Sequence, residues 1–315
     1  MVFLSSLVIL VLSLRAVFAA IGETVPLCTE GAIPIPFSVN DTVYRTWVSR
    51  HVDPNPLALS ARPLVVLHGG PGLTHDYMLP LADLSASRPV IFYDQIGSGR
   101  SSHPANDTAF DWGLDVFLHE LDNVLRVLNL ENDFDLLGHS WGGVVAAEYA
   151  VQRNNTGLNR LIISDSLPSD PLWIQSQVEL LSAFPEEVQL DMEAGYSDPV
   201  RYRAGLTAFF SVHGCTLDPW PKQLNDSFDF LFADPTPDIK MSTAQTGWSI
   251  IDRLYEITVP TLILNGAADI SQDYVNQPFL DNIRNVTHFK FKNSSHTPMW
   301  EERELYMEVV RNFLG

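Results

Sequence analysis

Phe134-Asp135-Leu136-Leu137-Gly138-His139-Ser140-Trp141-Gly142-Gly143-Val144-Val145-Ala146-Ala147 is the stretch on which the reading of this chain turns. An apolar run ends in Gly-x-Ser-x-Gly and passes directly into small residues suited to the start of a helix. A strand, a sharp turn and a helix in that order lift the Ser140 hydroxyl to an exposed apex. Glycines are needed around it because the turn is strained and neighbouring backbone passes close by. Ser140 is therefore the candidate nucleophile. The competing reading is a glycine-rich turn that merely connects strand to helix.

Outward from this point, other short apolar runs read as strands: Val43–Val48, Leu64–Leu67, Val90–Tyr93, Leu161–Ser164, Thr261–Leu264 and Thr287–Phe291. Several are continuous rather than alternating, as expected of parallel strands covered on both faces. Between them lie helical patterns. Leu114, Phe117, Leu118, Leu121, Val124, Leu125 and Leu128 form one apolar stripe, and the segment from Met299 to Phe313 reads the same way. Alternation of strand and helix predicts an α/β fold with a doubly wound, mostly parallel sheet. It breaks between about Ser166 and Trp248, where helical stretches, prolines and aromatics replace strands. The expected organisation is a core of residues 21–165 and 249–315 with a helical cap inserted at 166–248.

The chain has 315 residues and carries 38 acidic against 19 basic side chains, a formal net charge of −19. That balance disfavours nucleic acid and anionic membrane surfaces as partners. Residues 1–20 read as a secretory signal: Leu7 to Leu14 is too short for a comfortable membrane span, and Val17-Phe18-Ala19 fits an exit site after Ala19 or Ala20. An uncleaved anchor is the competing reading. Six glycosylation sequons, at Asn40, Asn106, Asn154, Asn225, Asn285 and Asn293, agree with a secreted glycoprotein. Cys28 and Cys215 are the two cysteines; one disulfide and two buried thiols are both open, and their spacing fits no metal site.

A nucleophilic serine needs a base, and the base needs an acid to orient it, in the chain order Ser, acid, His on such a sheet. After Leu262-Ile263-Leu264 comes Asn265-Gly266-Ala267-Ala268-Asp269, which puts Asp269 at the carboxyl end of a strand, where catalytic groups gather. Asp269 is the first choice for the acid, Asp273 the second and Asp165 the third. After Phe289-Lys290-Phe291-Lys292 comes Asn293-Ser294-Ser295-His296, and His296 is the histidine in a strand-to-helix loop beyond Asp269. An oxyanion hole needs two backbone N–H groups. Trp141, after the serine, is one. The loop His68-Gly69-Gly70-Pro71-Gly72 supplies the other through Gly70. A second tight loop, Asp94-Gln95-Ile96-Gly97-Ser98-Gly99-Arg100-Ser101, is expected to buttress it, with Asp94 and Arg100 as structural partners.

Together these motifs resemble the proline iminopeptidase family of α/β-hydrolases. The His68–Gly72 loop is similar to that family's HGGPG, Tyr93–Ser101 to its YDQxGxGRS, Gly138–Gly143 to its nucleophile motif and His296-Thr297-Pro298-Met299-Trp300-Glu301 to its base segment. Asp269 stands where the family's acid does. The resemblance covers nearly the whole chain after the signal. It implies a metal-free, cofactor-free serine hydrolase that releases N-terminal residues, often proline, from peptides or amino-acid amides.

The resemblance also implies acidic cap residues that pin the substrate's ammonium group, since a buried cation needs a partner. Asp238 falls where relatives carry a Glu, and Glu193 is the second candidate. The segment Asp198–Ala204 lacks a Glu that relatives have, which keeps open an esterase or amidase of a small metabolite. A noncatalytic binding protein is the third reading, opposed by the intact Ser, Asp and His. An epoxide hydrolase or dehalogenase would want Asp at position 140.

Overall fold

The computed structural model describes residues 27–39, 42–105, 110–153 and 157–315, with 27–39 and 42 known through their backbone alone. The signal reading therefore lies outside the described residues. Eight strands form one sheet in the order β1-β2-β4-β3-β5-β6-β7-β8. They are β1 (Leu27–Val39), β2 (Thr42–Val52), β3 (Leu64–Leu67), β4 (Val90–Asp94), β5 (Phe134–His139), β6 (Leu158–Ser164), β7 (Thr261–Gly266) and β8 (Val286–Phe291). From β4 onward every pairing is parallel; β1 with β2 and β2 with β4 are antiparallel.

The continuous apolar runs are explained by layers on both faces. Val65, Ile91, Leu136, Ile163 and Ile263 point into one core. Leu64, Phe92, Leu137, Ile162 and Leu262 point into the other. Each fully buried side chain of this size contributes about 1.5–3 kcal/mol. Helix α2 (Leu114–Leu128) buries the stripe Phe117, Leu118, Leu121, Val124 and Leu125. Helix α1 (Pro56–Ser60) is one turn, and α3 (Trp141–Gln152) runs from the elbow beneath the sheet's centre. Between β6 and β7 stand five α-helices: α4 (Asp170–Leu181), α5 (Glu186–Ala194), α6 (Pro199–His213), α7 (Lys222–Ala233) and α8 (Thr236–Gln245). Helices α9 (Asp273–Asn282), α10 (Pro298–Glu301) and α11 (Arg303–Leu314) complete the chain.

Three departures from the sequence reading have local causes. Strand β1 went unread because Gly31, Pro34 and Pro36 interrupt it; it is an edge strand, where proline is tolerated, and its register shifts between Pro34 and Ser38. His75–Ala86 forms a 3-10 helix with Pro80 inside, a pattern with no 3.6-residue period. The C-terminal stripe breaks at Glu302, which leaves helical geometry (φ −125°, ψ 50°). Its carboxylate turns back to accept from Asn293 N–H (2.9 Å) and Ser294 Oγ (2.7 Å).

One buried acid ties α2 to the sheet. Glu120 accepts from Thr46 Oγ1 (2.5 Å) and from Ile96 N–H (3.0 Å). Burial pushes its carboxyl up to about 8, against these two hydrogen bonds. The folded protein thus keeps a proton that the unfolded chain releases near pH 4.5. Stability from this group is full below that point and is lost as pH rises through about 8. Glu120→Gln should lower the melting temperature less between about pH 6 and pH 9 than the wild type loses over the same interval. Equal losses in parallel thermal melts would show Glu120 to be ionised in the fold.

Candidate active site

Strand β5 delivers Ser140 to the carboxyl edge of the sheet with φ 53° and ψ −122°. A side-chain-bearing residue in such a region costs about 1–3 kcal/mol and persists only when its surroundings fix it. They do: Ser140 N–H donates to Ser164 O (2.9 Å), and Ser166 Oγ donates to Ser140 O (2.7 Å). Gly142 passes so near β3 that a Cβ there would stand 2.3 Å from Leu67 O. Trp141 opens α3, and first-turn N–H groups have no carbonyl one turn back, so its N–H is available at the serine.

His296 follows β8 and Asp269 follows β7, as their positions in the sequence suggest. Both are buried. His296 Nδ1–H donates to Asp269 Oδ1 (2.7 Å), which also accepts from Ser271 N–H (2.9 Å). That bond leaves the lone pair on Nε2. Asp273, the second choice for the acid, is elsewhere: it is exposed on α9 and pairs with Lys290 (2.6 Å).

The loop after β3 packs directly on the serine. A Cβ on Gly69 would meet Ser140 Cβ at 2.8 Å and Tyr77 Oη at 2.7 Å. A chain of hydrogen bonds starts there. Gly69 N–H donates to Tyr77 Oη (2.5 Å), and His139 Nε2–H donates to the carbonyl of His296 (2.7 Å). Tyr77 O–H must then donate to His139 Nδ1 (2.8 Å). Burial, with His296 alongside, holds His139 well below the ordinary histidine range, so it stays neutral and keeps this tautomer. The loop, the elbow and the candidate base are thereby held in one register. Sequence reading did not find Tyr77 or His139 in this role; a polar residue directly before the serine was the available signal.

The second tight loop supports the first. Gln95 N–H donates to His68 Nε2 (2.9 Å), its side-chain NH2 donates to His68 O (2.7 Å), and Trp141 Nε1–H donates to its carbonyl (2.9 Å). Burial pushes His68 down to about 4, so it too is neutral and its Nδ1–H donates to Gly69 O (2.9 Å). Asp94 accepts from His75 N–H (2.9 Å), His75 Nδ1 (2.8 Å) and Arg100 N–H (2.9 Å). Burial alone would raise its pKa, but these donors hold it below the ordinary value. Arg100 lies 3.8 Å from the same carboxylate and 3.3 Å from that of Asp76.

Residues 62–303 match the model of a family described as alpha/beta hydrolase fold. A proline iminopeptidase of Saccharolobus solfataricus is 35% identical over 81% of this chain and 85% of its own length. The crystal structure of a proline iminopeptidase of Mycobacterium smegmatis is 31% identical, with TM-score 0.76 over 90% of this chain and 97% of that one. The crystal structure of VinJ is 34% identical, with TM-score 0.81 over 91% and 98%. The chain belongs to the proline iminopeptidase family of α/β-hydrolases.

In this proline iminopeptidase-family chain, the cap helices close a cavity of about 350 Å3 over Ser140, Gly70, Trp141 and His296. Trp173 of α4 stands over the His296 ring (5.7 Å between centroids), with Phe210 of α6 at 6.4 Å. Asp238 of α8 is in the cavity wall. Its carboxylate accepts from Tyr196 Oη (2.6 Å), and burial raises its pKa against this bond and a weaker one from Ser242. Glu193 does not join it. The α5 face that packs on Gly205 is that of Asp191 and Met192, which turns Glu193 to solvent.

Cys215 is a buried free thiol; the side chain of Cys28 lies outside the described residues. Among the sequons, Asn285 and Asn293 are exposed. Asn225 is half-buried in α7 with its NH2 donating to Trp220 O (3.4 Å), a poor acceptor for a glycan. Asn40, Asn106 and Asn154 fall outside the described residues.

Tyr77 is the link whose removal tests the hydrogen-bond chain. Tyr77→Phe strands the buried Gly69 N–H and His139 Nδ1, at a cost of about 1–3 kcal/mol in stability. Denaturant unfolding should show that loss, and kcat/KM should fall about tenfold as the loop and the base lose their common register. Wild-type values of both would mean that Tyr77 only fills space.

Proposed function

We propose that this chain is an exported serine aminopeptidase or amino-acid amidase that acts through an acyl-enzyme. The observation that carries the reading is that Ser140, His296 and Asp238 face one cavity whose wall, among the described residues, holds no Lys or Arg. Such a wall accepts an ammonium group beside a scissile carbonyl.

Ser140 Oγ attacks that carbonyl while His296 Nε2 takes its proton. Asp269, bonded to Nδ1–H, fixes the imidazole and balances its charge once protonated. The N–H groups of Gly70 and Trp141 hold the oxyanion in the cavity beneath the cap. His296 then protonates the leaving amine, and a water, deprotonated by the same nitrogen, releases the acid. Asp238 pairs with the substrate's free ammonium. Its aspartate stem is one carbon shorter than the Glu of relatives, which suits an amine carried farther into the cap side of the cavity.

One panel tests chemistry and specificity together: aminoacyl-anilides, simple esters and their N-blocked forms. Ser140→Ala should lower kcat by about a millionfold on every substrate. Asp238→Asn should lower kcat/KM by about 2–5 kcal/mol on free amines and leave N-blocked substrates nearly unchanged. If the wild type cleaves N-blocked and free substrates equally, no amine anchor exists and the chain is an esterase or amidase of another metabolite.

Export rests on the apolar segment Leu7 to Leu14, its small-residue exit and the sequons. N-terminal sequencing of the mature protein should give Ala20 or Ile21, with a mass loss on deglycosylation. Met1 at the mature terminus and an unchanged mass would refute it.

A further inference from the structure

Behind the candidate acid lies a second carboxyl that the reaction above does not use. Asp165 follows β6 in the left-handed region (φ 51°), fully buried. Its N–H donates to Leu264 O (2.7 Å). Its Oδ2 accepts from Ser164 Oγ (2.6 Å), whose own oxygen accepts from Tyr306 Oη (3.0 Å), and its Oδ1 accepts from Gly266 N–H (3.2 Å). The ligating atoms of Asp165, Asp269 and His296 lie within 4.8 Å of one another.

Asp269 is held unevenly. Its Oδ1 takes both Ser271 N–H and His296 Nδ1–H. Its Oδ2 is buried and no N–H or hydroxyl in the described residues donates to it. A buried carboxylate oxygen left without a donor keeps its full desolvation penalty. The Asp165 carboxyl stands beside it, with an oxygen within 4.8 Å of one of Asp269. Two buried carboxyl groups this close disfavour ionising together, and a proton held by one can serve the other.

We propose that Asp165 is protonated near neutral pH and donates to Asp269 Oδ2, a positioning residue that fixes the acid from its second oxygen. The inference rests on the Ser140, His296 and Asp269 assignment above. The proton belongs on Asp165 rather than on Asp269 because Asp269 faces the imidazole, which gains positive charge during the reaction. The groups facing Asp165 are Asp269, Glu301, Tyr306, Tyr77 and the His296 ring, with no Lys or Arg among them. Burial first, and then the charge of Asp269, hold Asp165 well above the ordinary carboxylate range. A neutral Asp165 leaves one negative charge behind His296.

Two variants separate donor from charge. Asn tolerates the positive φ and offers Nδ2–H in place of the O–H; Leu offers nothing. Infrared spectra at neutral pH should show a protonated-carboxyl band in the wild type that Asp165→Asn lacks. Asp165→Leu should lower kcat by about ten- to a hundredfold, and Asp165→Asn should recover most of that loss. The alkaline limb of the pH profile, where wild-type Asp165 ionises, should flatten in Asp165→Asn. Thermal melts confirm that both variants fold. Absence of the band overturns the proposal, as does Asp165→Asn losing as much activity as Asp165→Leu, or Asp165→Leu keeping the wild-type rate. The band is read without turnover, so its outcome is separate from that of Ser140→Ala.

Discussion

The backbone of Ser140 is the constraint on which the rest of the site depends. A residue with a side chain at φ 53° and ψ −122° is held there by what surrounds it, not by its own preference. Strand β5 lies between β3 and β6, and the elbow draws on both. The β6 end supplies Ser164 O and Ser166 Oγ; the β3 end lies so close to Gly142 that no side chain fits. Central placement in the sheet is therefore not incidental. An edge strand would leave the turn free on one side, and the turn would relax.

The polar groups beneath the site follow from the same crowding. Loops packed this tightly bury their own N–H and carbonyl groups, and each needs a partner. Gln95 meets three such needs, for the backbone and ring of His68 and for Trp141. His68 and His139 are useful there because burial keeps them neutral, so each has one donor and one acceptor in fixed places. A charged ring would have two donors and would break either chain. Asp94 is the opposite case, kept ionised by several donors at once.

Much of this was legible in the sequence, and for identifiable reasons. Continuous apolar runs gave the parallel strands because both faces are covered, and α2 was readable from one uninterrupted stripe. Ser140, Asp269 and His296 were legible from chain order, since each ends a strand or follows one. Strand β1 was hidden by its prolines, which only an edge position excuses. The relay through Tyr77 and His139 was hidden because hydrogen-bond partners distant in sequence carry no periodic mark. Asp165 was visible only as a rival to Asp269; that the two meet depends on β6 and β7 being neighbours. Glu193 shows the limit of placing a cap residue by resemblance, since which helix face turns inward is decided by packing against Gly205.

Chemistry and selectivity are thus built from different material. The candidate reacting groups stand at or just beyond strand ends, and the neighbouring loops are bound to one another at several points. The cap is joined to them by bonds such as His213 to the carbonyl of Ala268 (2.8 Å) and Thr297 to that of Gly214 (3.0 Å). Its inward side chains are largely aromatic and aliphatic, with the carboxylates of Asp170 and Asp238 and a few uncharged polar groups among them. Apolar walls discriminate weakly between ligands of similar size, by about 1–3 kcal/mol per methylene, whereas a buried charge left unpaired rejects the wrong partner strongly. The sheet can therefore stay constant while cap substitutions change which ligand the cavity accepts. On the proposed reading, the position and length of the Asp238 carboxylate carry more of that choice than the shape of the cavity around it.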